Sequence, residues 1–171
     1  MSPADCTLGT KLYNKTNIAS FAEWYYFGQT NGTRNGDITG SAYNSRSGKY
    51  NLVVTPKNFA ADNTNGFSFI TNTNADTIVV PHITTLNQYF SYGLQCTNLI
   101  ILSDTAPTFV TQMTTGRSVA NVYVPDTLVS TYGSKLGSTA KPLSTFLNGS
   151  SPYAAMVRTL YEKGILVRSW L

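Results

Sequence analysis

The sequence predicts a β-rich α+β fold in which short strands recur as a solenoid, with small helices between them and a capping helix at the C-terminus. Three apolar runs carry this prediction: residues 78–81 (Ile-Val-Val-Pro), 99–102 (Leu-Ile-Ile-Leu) and 122–125 (Val-Tyr-Val-Pro). Their centres are roughly 22 residues apart, a period found in solenoid repeat proteins. Two of the runs end in proline, which cannot donate to a β ladder and so ends a strand.

Length and composition limit the classes of function. The chain has 171 residues, enough to bury the core of one compact domain. Charged residues make up 12% of it, about half the usual share, which is typical of β-rich extracellular or virion surfaces. The net charge of +4 comes from basic residues scattered singly. Since no basic cluster could follow a phosphate backbone, we predict no nucleic-acid partner.

The cysteines and the N-terminus offer few signals. Cys6 and Cys96 are far apart and lack a C-x-x-C spacing, so we expect free thiols, with Cys96 packed as a small apolar residue. A disulfide between Cys6 and Cys96 is the alternative, because the spacing of two cysteines in the sequence does not set the distance between them in the fold. We predict neither a metal nor a cofactor.

The sequence contains no targeting signal that we recognise. Residues 1–5 do not resemble a secretory signal, and no apolar run could span a membrane. A protein of this sequence that works outside a cell would therefore be delivered by lysis, within a particle or from a processed precursor.

An aromatic patch and a polar loop follow the N-terminus. Ile18, Phe21, Trp24 and Tyr25 fall at helical spacing, which predicts a short helix that seals one end of the core; a carbohydrate platform is the alternative. Residues 28–49 contain paired Asn-Gly turns. A candidate exposed binding loop in this segment consists of Asn31, Arg34 and Asn35.

In the middle of the chain, the sequence predicts strands and, after the clearest of them, spaced apolar residues that pack back on the core. The residue pattern predicts one strand over residues 50–56, which ends at Pro56, and another over residues 67–70. In the clearest repeat, Ile78 and Val80 point inward and Pro81 ends the strand. The apolar groups that return to the core after it are Ile83, Leu86, Phe90 and Leu94.

This repeat resembles a known family. Val80-Pro81, then Ile83, Leu86 and Phe90, then Cys96-Thr97-Asn98-Leu99, is similar to the BspA-type leucine-rich repeats of gut bacteria and their phages. Residues 122–132 and 141–143 resemble the terminal units of such arrays, and residues 16–27 resemble their opening. The resemblance implies a short leucine-rich-repeat-like solenoid. We expect an N-terminal cap and loop over residues 1–50, a leucine-rich-repeat-like β core over 51–145 and a C-terminal helix and strand over 146–171.

The C-terminal third predicts helices. Asp126 can cap a short helix that ends near Gly133, and residues 135–150 read as a Gly-, Ser- and Thr-rich connection. Ser151 and Pro152 predict the start of the last helix, and Lys163 and Gly164 its end. A strand over residues 165–167 follows.

The last helix has no counterpart in the repeat pattern. It either caps the open end of the solenoid or forms an arm that docks on a neighbouring subunit or particle. The candidate interface residues of this helix and of the segment after it are Tyr153, Met156, Val157, Arg158, Leu160, Tyr161 and Arg168.

Residue patterns for catalysis are sparse. The sole histidine, His82, follows Pro81 outside any acyl-transfer motif. As a base it would need an orienting carboxylate, for which Asp104 or Asp126 would have to serve. We therefore predict no catalytic residues, with a polysaccharide-degrading enzyme as a minor alternative, because the carboxylates of such enzymes are set by the fold.

These observations favour a non-enzymatic structural protein of a bacteriophage virion, such as a head fibre, decoration or tail-fibre component. Its partners would be other virion proteins or itself, as a homo-oligomer of which the trimer is usual in fibres. The alternative is an adhesion module on the bacterial cell surface that binds a host protein or glycan. In either setting a bacterial surface glycan or protein is a candidate partner.

Overall fold

The computed structural model describes residues 25–27, 49–55, 74–87, 95–110 and 119–164. The strands in these ranges are β1 (Tyr25–Phe27), β2 (Lys49–Val54), β3 (Asn74–Val80), β4 (Thr85–Asn87), β5 (Gln95–Ile101), β6 (Thr108–Val110), β7 (Val119–Val124) and β8 (Ala140–Pro142). The helices are α1 (Val129–Leu136), α2 (Leu143–Leu147) and α3 (Ala154–Lys163), with 3-10 turns over Asp126–Leu128 and Gly137–Thr139.

Most strands join one sheet, here called the main sheet, in the order β1-β2-β3-β5-β7-β8. All neighbours pair in parallel except β1 and β2, which are antiparallel. A smaller parallel sheet pairs β4 with β6. The predicted β-rich α+β class is confirmed at this level, as parallel strands with a few small helices.

The parallel strands pair in a regular register. Ile78 lies opposite Leu99, and Leu99 lies opposite Val122. Partners in neighbouring parallel strands are roughly 18 to 25 residues apart in sequence. The three apolar runs from which the fold was predicted therefore stand side by side. As predicted, β3 and β7 end immediately before Pro81 and Pro125.

Within the described residues, one face of the main sheet packs on the segments that follow β3, β5 and β7, which include β4, β6 and α1. Ile78 and Val80 point to this face, as predicted, and Ile83 and Leu86 are buried beneath it. We call this cluster the first core. It consists of Val53, Ala75, Ile78, Val80, Ile83, Leu86, Cys96, Leu99, Ile101, Val119, Val122, Val124, Tyr132 and Leu136.

The opposite face of the main sheet is covered by α2 and α3. Val79 and Ile100 are fully buried on this face, so the strands are apolar on both sides, which explains their uninterrupted apolar runs. We call this cluster the second core. It consists of Leu52, Val54, Val79, Ile100, Leu102, Leu143, Phe146, Met156, Val157 and Leu160.

Several local predictions need correction. Tyr25, expected in a helix, lies in β1 opposite Val54, because aromatic residues fit a paired strand well. Residues 135–150, expected as a connection, contain the end of α1, β8 and α2. Leu143 and Phe146, three positions apart, place α2 on the sheet. Asp126 makes no cap for the helix that follows it, since its carboxylate accepts from Ser144 instead.

The C-terminal helix forms close to where it was predicted. Ser151 Oγ accepts a hydrogen bond from the Tyr153 amide (3.2 Å), and α3 starts at Ala154 rather than at Pro152. Gly164 ends the helix in the left-handed conformation, with φ of 64°, as expected for a C-terminal glycine. The predicted strands at residues 67–70 and 165–167 lie outside the described residues, as do Phe90, Leu94 and Cys6.

Cys96 packs as predicted, in the first core with a free thiol and 6% exposure. Burial, assisted by Asp76, raises the pKa of its thiol to about 12, so the thiolate needed for reactivity is scarce at neutral pH. Within the described ranges, no helix has the length and apolarity to cross a membrane.

Candidate functional site

A cleft lies where the carboxyl ends of β3 and β5 meet the C-terminal end of α3. Parallel sheets place their ligand sites at this edge, because the loops that follow each strand converge there. The cleft has a volume of about 270 Å³, and we call it the first cleft. Its lining residues are Pro81, His82, Leu102, Ser103, Asp104, Leu160, Tyr161 and Gly164.

Ser103 fixes the shape of this cleft from inside. Its Oγ accepts a hydrogen bond from the Ile83 amide (2.7 Å) and donates one to the Ile83 carbonyl (3.3 Å). The side chain is buried, and its hydroxyl proton is directed to a backbone carbonyl. His82 Nδ1 lies 3.5 Å from Ser103 Oγ, too far for a strong hydrogen bond. Ser103 therefore holds the two loops together and is poorly placed to act as a nucleophile.

Asp104 and Tyr161 form the polar wall of the first cleft. The Tyr161 hydroxyl donates a hydrogen bond to Asp104 Oδ1 at 2.7 Å. This bond, together with desolvation and the charges of Asp104 and Asp126, raises the pKa of Tyr161 to about 12. The phenol therefore stays protonated and keeps donating at neutral pH. The contact joins the end of α3 to the loop after β5.

A second cleft, of about 240 Å³, lies at the carboxyl end of β7 and shares Tyr161 with the first. Asp126 Oδ1 accepts a hydrogen bond from the Ser144 amide at 3.0 Å. Hydrogen bonds from the side chain and backbone of Ser144 lower the pKa of Asp126, so its carboxylate is ionised at neutral pH and stabilises the N-terminal turn of α2. The remaining lining residues are Pro125, Thr127, Leu143 and Leu147.

Three polar residues that are far apart in the sequence line the two clefts at one edge of the main sheet. His82, Asp104 and Asp126 follow β3, β5 and β7, which are neighbours in the main sheet. His82 hydrogen-bonds to neither carboxylate within the described part of the chain. The polar groups thus converge on open space, which suits binding better than proton transfer between them. Among the described residues, no group of three or more His, Cys, Asp or Glu side chains could hold a metal ion.

The candidate interface on α3 divides between core and surface. Met156, Val157 and Leu160 are buried in the second core, so in this conformation they are not presented to a partner. Tyr153 and Tyr161 pack partly against that core.

Arg158 faces outward from α3. Its guanidinium donates to the Leu147 carbonyl (3.4 Å) and to Asn148 Oδ1 (3.3 Å), and lies 3.6 Å from Glu162 Oε1. Arg158 therefore links α3 to the end of α2. Arg168 and the candidate loop residues Asn31, Arg34 and Asn35 lie outside the described residues.

Sequence reasoning named most of this site but not its arrangement. Tyr161 was predicted as an interface residue without a polar partner, and Ser103 was not singled out. A positional signal could have found Ser103, because His82, Ser103 and Asp126 each come two residues after the end of a strand, and the three strands are neighbours. The contact of Tyr161 depends on the docking of α3 and has no such signal.

Comparison with known proteins adds no relative. No protein-family model, no curated protein and no solved structure matches the chain.

Proposed function

We propose that this chain is a non-enzymatic structural protein of a bacteriophage virion, a head fibre, decoration or tail-fibre component that presents a short leucine-rich-repeat-like solenoid for surface binding. The observation that carries the proposal is the regular stacking of its strands. While β3, β5 and β7 pair in the main sheet, Leu86 in β4 pairs in step with Phe109 in β6. Paired ladders at a common period are typical of stacked repeat units.

Side chains at paired positions of neighbouring strands also contact each other. Asn98 and Asn121 are paired positions of β5 and β7, and Asn121 Nδ2 donates to Asn98 Oδ1 at 3.1 Å and to the Thr97 carbonyl at 3.4 Å. Ladders of identical amide side chains form when equivalent positions of stacked strands align. This contact favours a repeat over an accidental parallel pairing.

The polar groups of the clefts favour binding over catalysis. Ser103 is committed to the Ile83 backbone, and Asp104 is engaged by Tyr161 rather than by His82. A histidine base requires a partner that orients it and a nucleophile within hydrogen-bond reach. The low charge content, 12% of residues, agrees with a role at a surface.

In this proposal the chain works as a homo-oligomer or with other virion proteins, and the trimer is the form expected in a fibre. The exposed side of α3, which includes Arg158 and Glu162, is available for such contacts because its apolar side already packs on the second core.

Light scattering and co-sedimentation test this proposal. The purified chain is expected to form a symmetric oligomer on size-exclusion chromatography with multi-angle light scattering, and to sediment with phage particles produced by its source strain. A strictly monomeric chain that stays in the supernatant would contradict the virion assignment.

A bacterial cell-surface adhesion module that binds a host protein or glycan is the second candidate. The observation that favours it is the pair of clefts, where carboxylate, hydroxyl and imidazole groups converge on open space. Immunogold labelling of source-strain cultures distinguishes the candidates, because label on phage particles supports the first and label on the cell envelope the second.

A further inference from the structure

We propose that the first and second clefts together bind a neutral oligosaccharide, with one sugar residue in each cleft and Tyr161 in contact with both. This inference rests on the proposed surface-binding function and names the chemical class of its ligand. It holds equally for a virion protein and for an adhesion module.

The dimensions of the clefts fit a short chain of rings. Their volumes, about 270 and 240 Å³, lie just below the ~300–1,000 Å³ typical of sites for drug-sized ligands. Each therefore suits one pyranose ring better than a larger molecule. Both are lined by Tyr161, so the proposed ligand would contact this side chain from each cleft.

The first cleft matches a sugar ring in chemistry. A pyranose presents hydroxyl groups at its edge and C–H groups on its faces. The Asp104 carboxylate accepts from Tyr161 through Oδ1, which leaves lone pairs on both oxygens for sugar hydroxyls in charge-assisted hydrogen bonds. His82 is exposed, and its imidazole can donate or accept. Apolar surface for the C–H groups comes from the half-buried Pro81 and the half-buried ring of Tyr161.

The second cleft repeats this chemistry with different residues. Asp126 accepts from the Ser144 amide through Oδ1 and retains lone pairs for a ligand. The hydroxyl of Thr127 adds a group that both donates and accepts. The half-buried Leu147 supplies apolar surface. Each cleft thus combines one carboxylate with hydroxyl-bearing side chains and some apolar surface.

A cationic peptide would also contact carboxylates, but the molecule disfavours it. The chain carries a net charge of +4, which repels a polycation at long range. Ion pairs with exposed carboxylates such as Asp104 and Asp126 contribute only about 0–1 kcal/mol each. A hydroxyl-rich ligand uses the donors and the acceptors of both clefts.

The experiment combines a glycan array with calorimetry on the full chain. The array carries neutral and acidic oligosaccharides, with a fluorescent polylysine peptide as the competing probe. We expect signal on neutral oligosaccharides. Calorimetric titration with the strongest of them should show at least about tenfold tighter binding of the disaccharide than of its monosaccharide, because two clefts are filled.

Matched variants assign the binding to the first cleft. Asp104→Asn should weaken binding about tenfold or more, since hydrogen bonds to a carboxylate contribute most. His82→Ala, which removes the imidazole from the same cleft, should also weaken binding. Asp76→Asn, the same change at an exposed carboxylate of β3 that lines neither cleft, should leave the Kd unchanged. Circular dichroism melting curves show that the variants compared are folded.

Three results would overturn the proposal: preference for polylysine, absence of signal on every neutral oligosaccharide, or equal effects of Asp104→Asn and Asp76→Asn on the Kd. If the array is blank while the chain still sediments with phage particles, the sugar site is wrong and the virion function stands. Sugar binding without such sedimentation would favour the cell-surface function and leave the cleft assignment intact.

Discussion

The two faces of the main sheet are buried in different ways. Within the described residues, the first core is closed by segments that follow β3, β5 and β7 in sequence, and these contribute Ile83, Leu86 and Tyr132. The second core is closed by α2 and α3, which come after the whole sheet in sequence and cover Leu52, Val79 and Ile100 from outside. One face is therefore closed by segments close in sequence to its strands, and the other by a single later segment. We expect this difference to extend to stability.

The largest effect is expected in the first core. Leu99→Ala removes a fully buried side chain from β5, between Ile78 and Val122. We expect a loss of about 3–4 kcal/mol in the free energy of unfolding, measured by urea denaturation, because the surrounding strands cannot collapse into the cavity. Thr97→Ala, at an exposed position of the same strand, should change stability by about 0.5 kcal/mol or less. A loss below about 1 kcal/mol in Leu99→Ala would show that the first core is loosely packed.

A smaller and more local effect is expected in the second core. Met156 is fully buried on α3, and Met156→Ala should cost about 2–3 kcal/mol. Since the apolar side of α3 packs on the second core, we expect its amides to exchange hydrogen faster in this variant, while those of β5, which is paired on both edges, stay protected. Ala155→Ser, at an exposed position of the same helix, is the control and should leave both exchange rates close to wild type. Equal acceleration in α3 and β5 would mean that the two cores unfold as one unit.

Two tyrosine hydroxyls, one in the first core and one beside the second core, are expected to affect stability in opposite directions. Tyr132 is fully buried in the first core, with an edge-to-face contact to Phe109 at 5.3 Å, and in the described part of the chain its hydroxyl has no hydrogen-bond partner. Tyr132→Phe should therefore stabilise the protein by about 1 kcal/mol, because an unsatisfied buried hydroxyl is removed. Tyr161→Phe removes the bond to Asp104 and should destabilise by about 0.5–1 kcal/mol. Thermal melts of both variants check the opposite signs, and a destabilised Tyr132→Phe would imply a partner for its hydroxyl.

The sequence predicted the first core better than the second, for a physical reason. Strand-proline runs at a constant spacing predict both the strands and their inward side chains, because these depend on residues close in sequence. The covering of the second face depends on where α2 and α3 dock, which no local pattern specifies. Val79 and Ile100 nevertheless carried a signal, since an apolar residue at every position of a strand is typical of a sheet covered on both faces.

The candidate site was predictable in its residues but not in its contacts. His82, Asp104 and Asp126 could be named from the sequence, and their place after parallel strands predicts a shared edge. The hydrogen bond from Tyr161 to Asp104 joins residues 57 positions apart. It depends on the docking of α3, so it could not be inferred until the second core was known.

The smallest effect concerns Asp126, which links the second cleft to α2. Hydrogen bonds from Ser144 lower its pKa in the folded protein, below the ordinary value of about 3.9. Its contribution to stability is therefore complete above that value and is lost as the pH falls through the folded pKa. Asp126→Asn keeps an acceptor for the Ser144 amide but cannot titrate. Free energies of unfolding between about pH 6 and pH 3 should fall less steeply in this variant than in wild type. The difference should be small because the carboxylate is exposed.

A second variant separates the two hydrogen bonds that Ser144 makes to Asp126. Ser144→Ala, which removes the side-chain donor and keeps the amide, should give an intermediate slope. If the three curves run parallel, Asp126 contributes equally in both charge states, and α2 is held on the sheet by the packing of Leu143 and Phe146 alone.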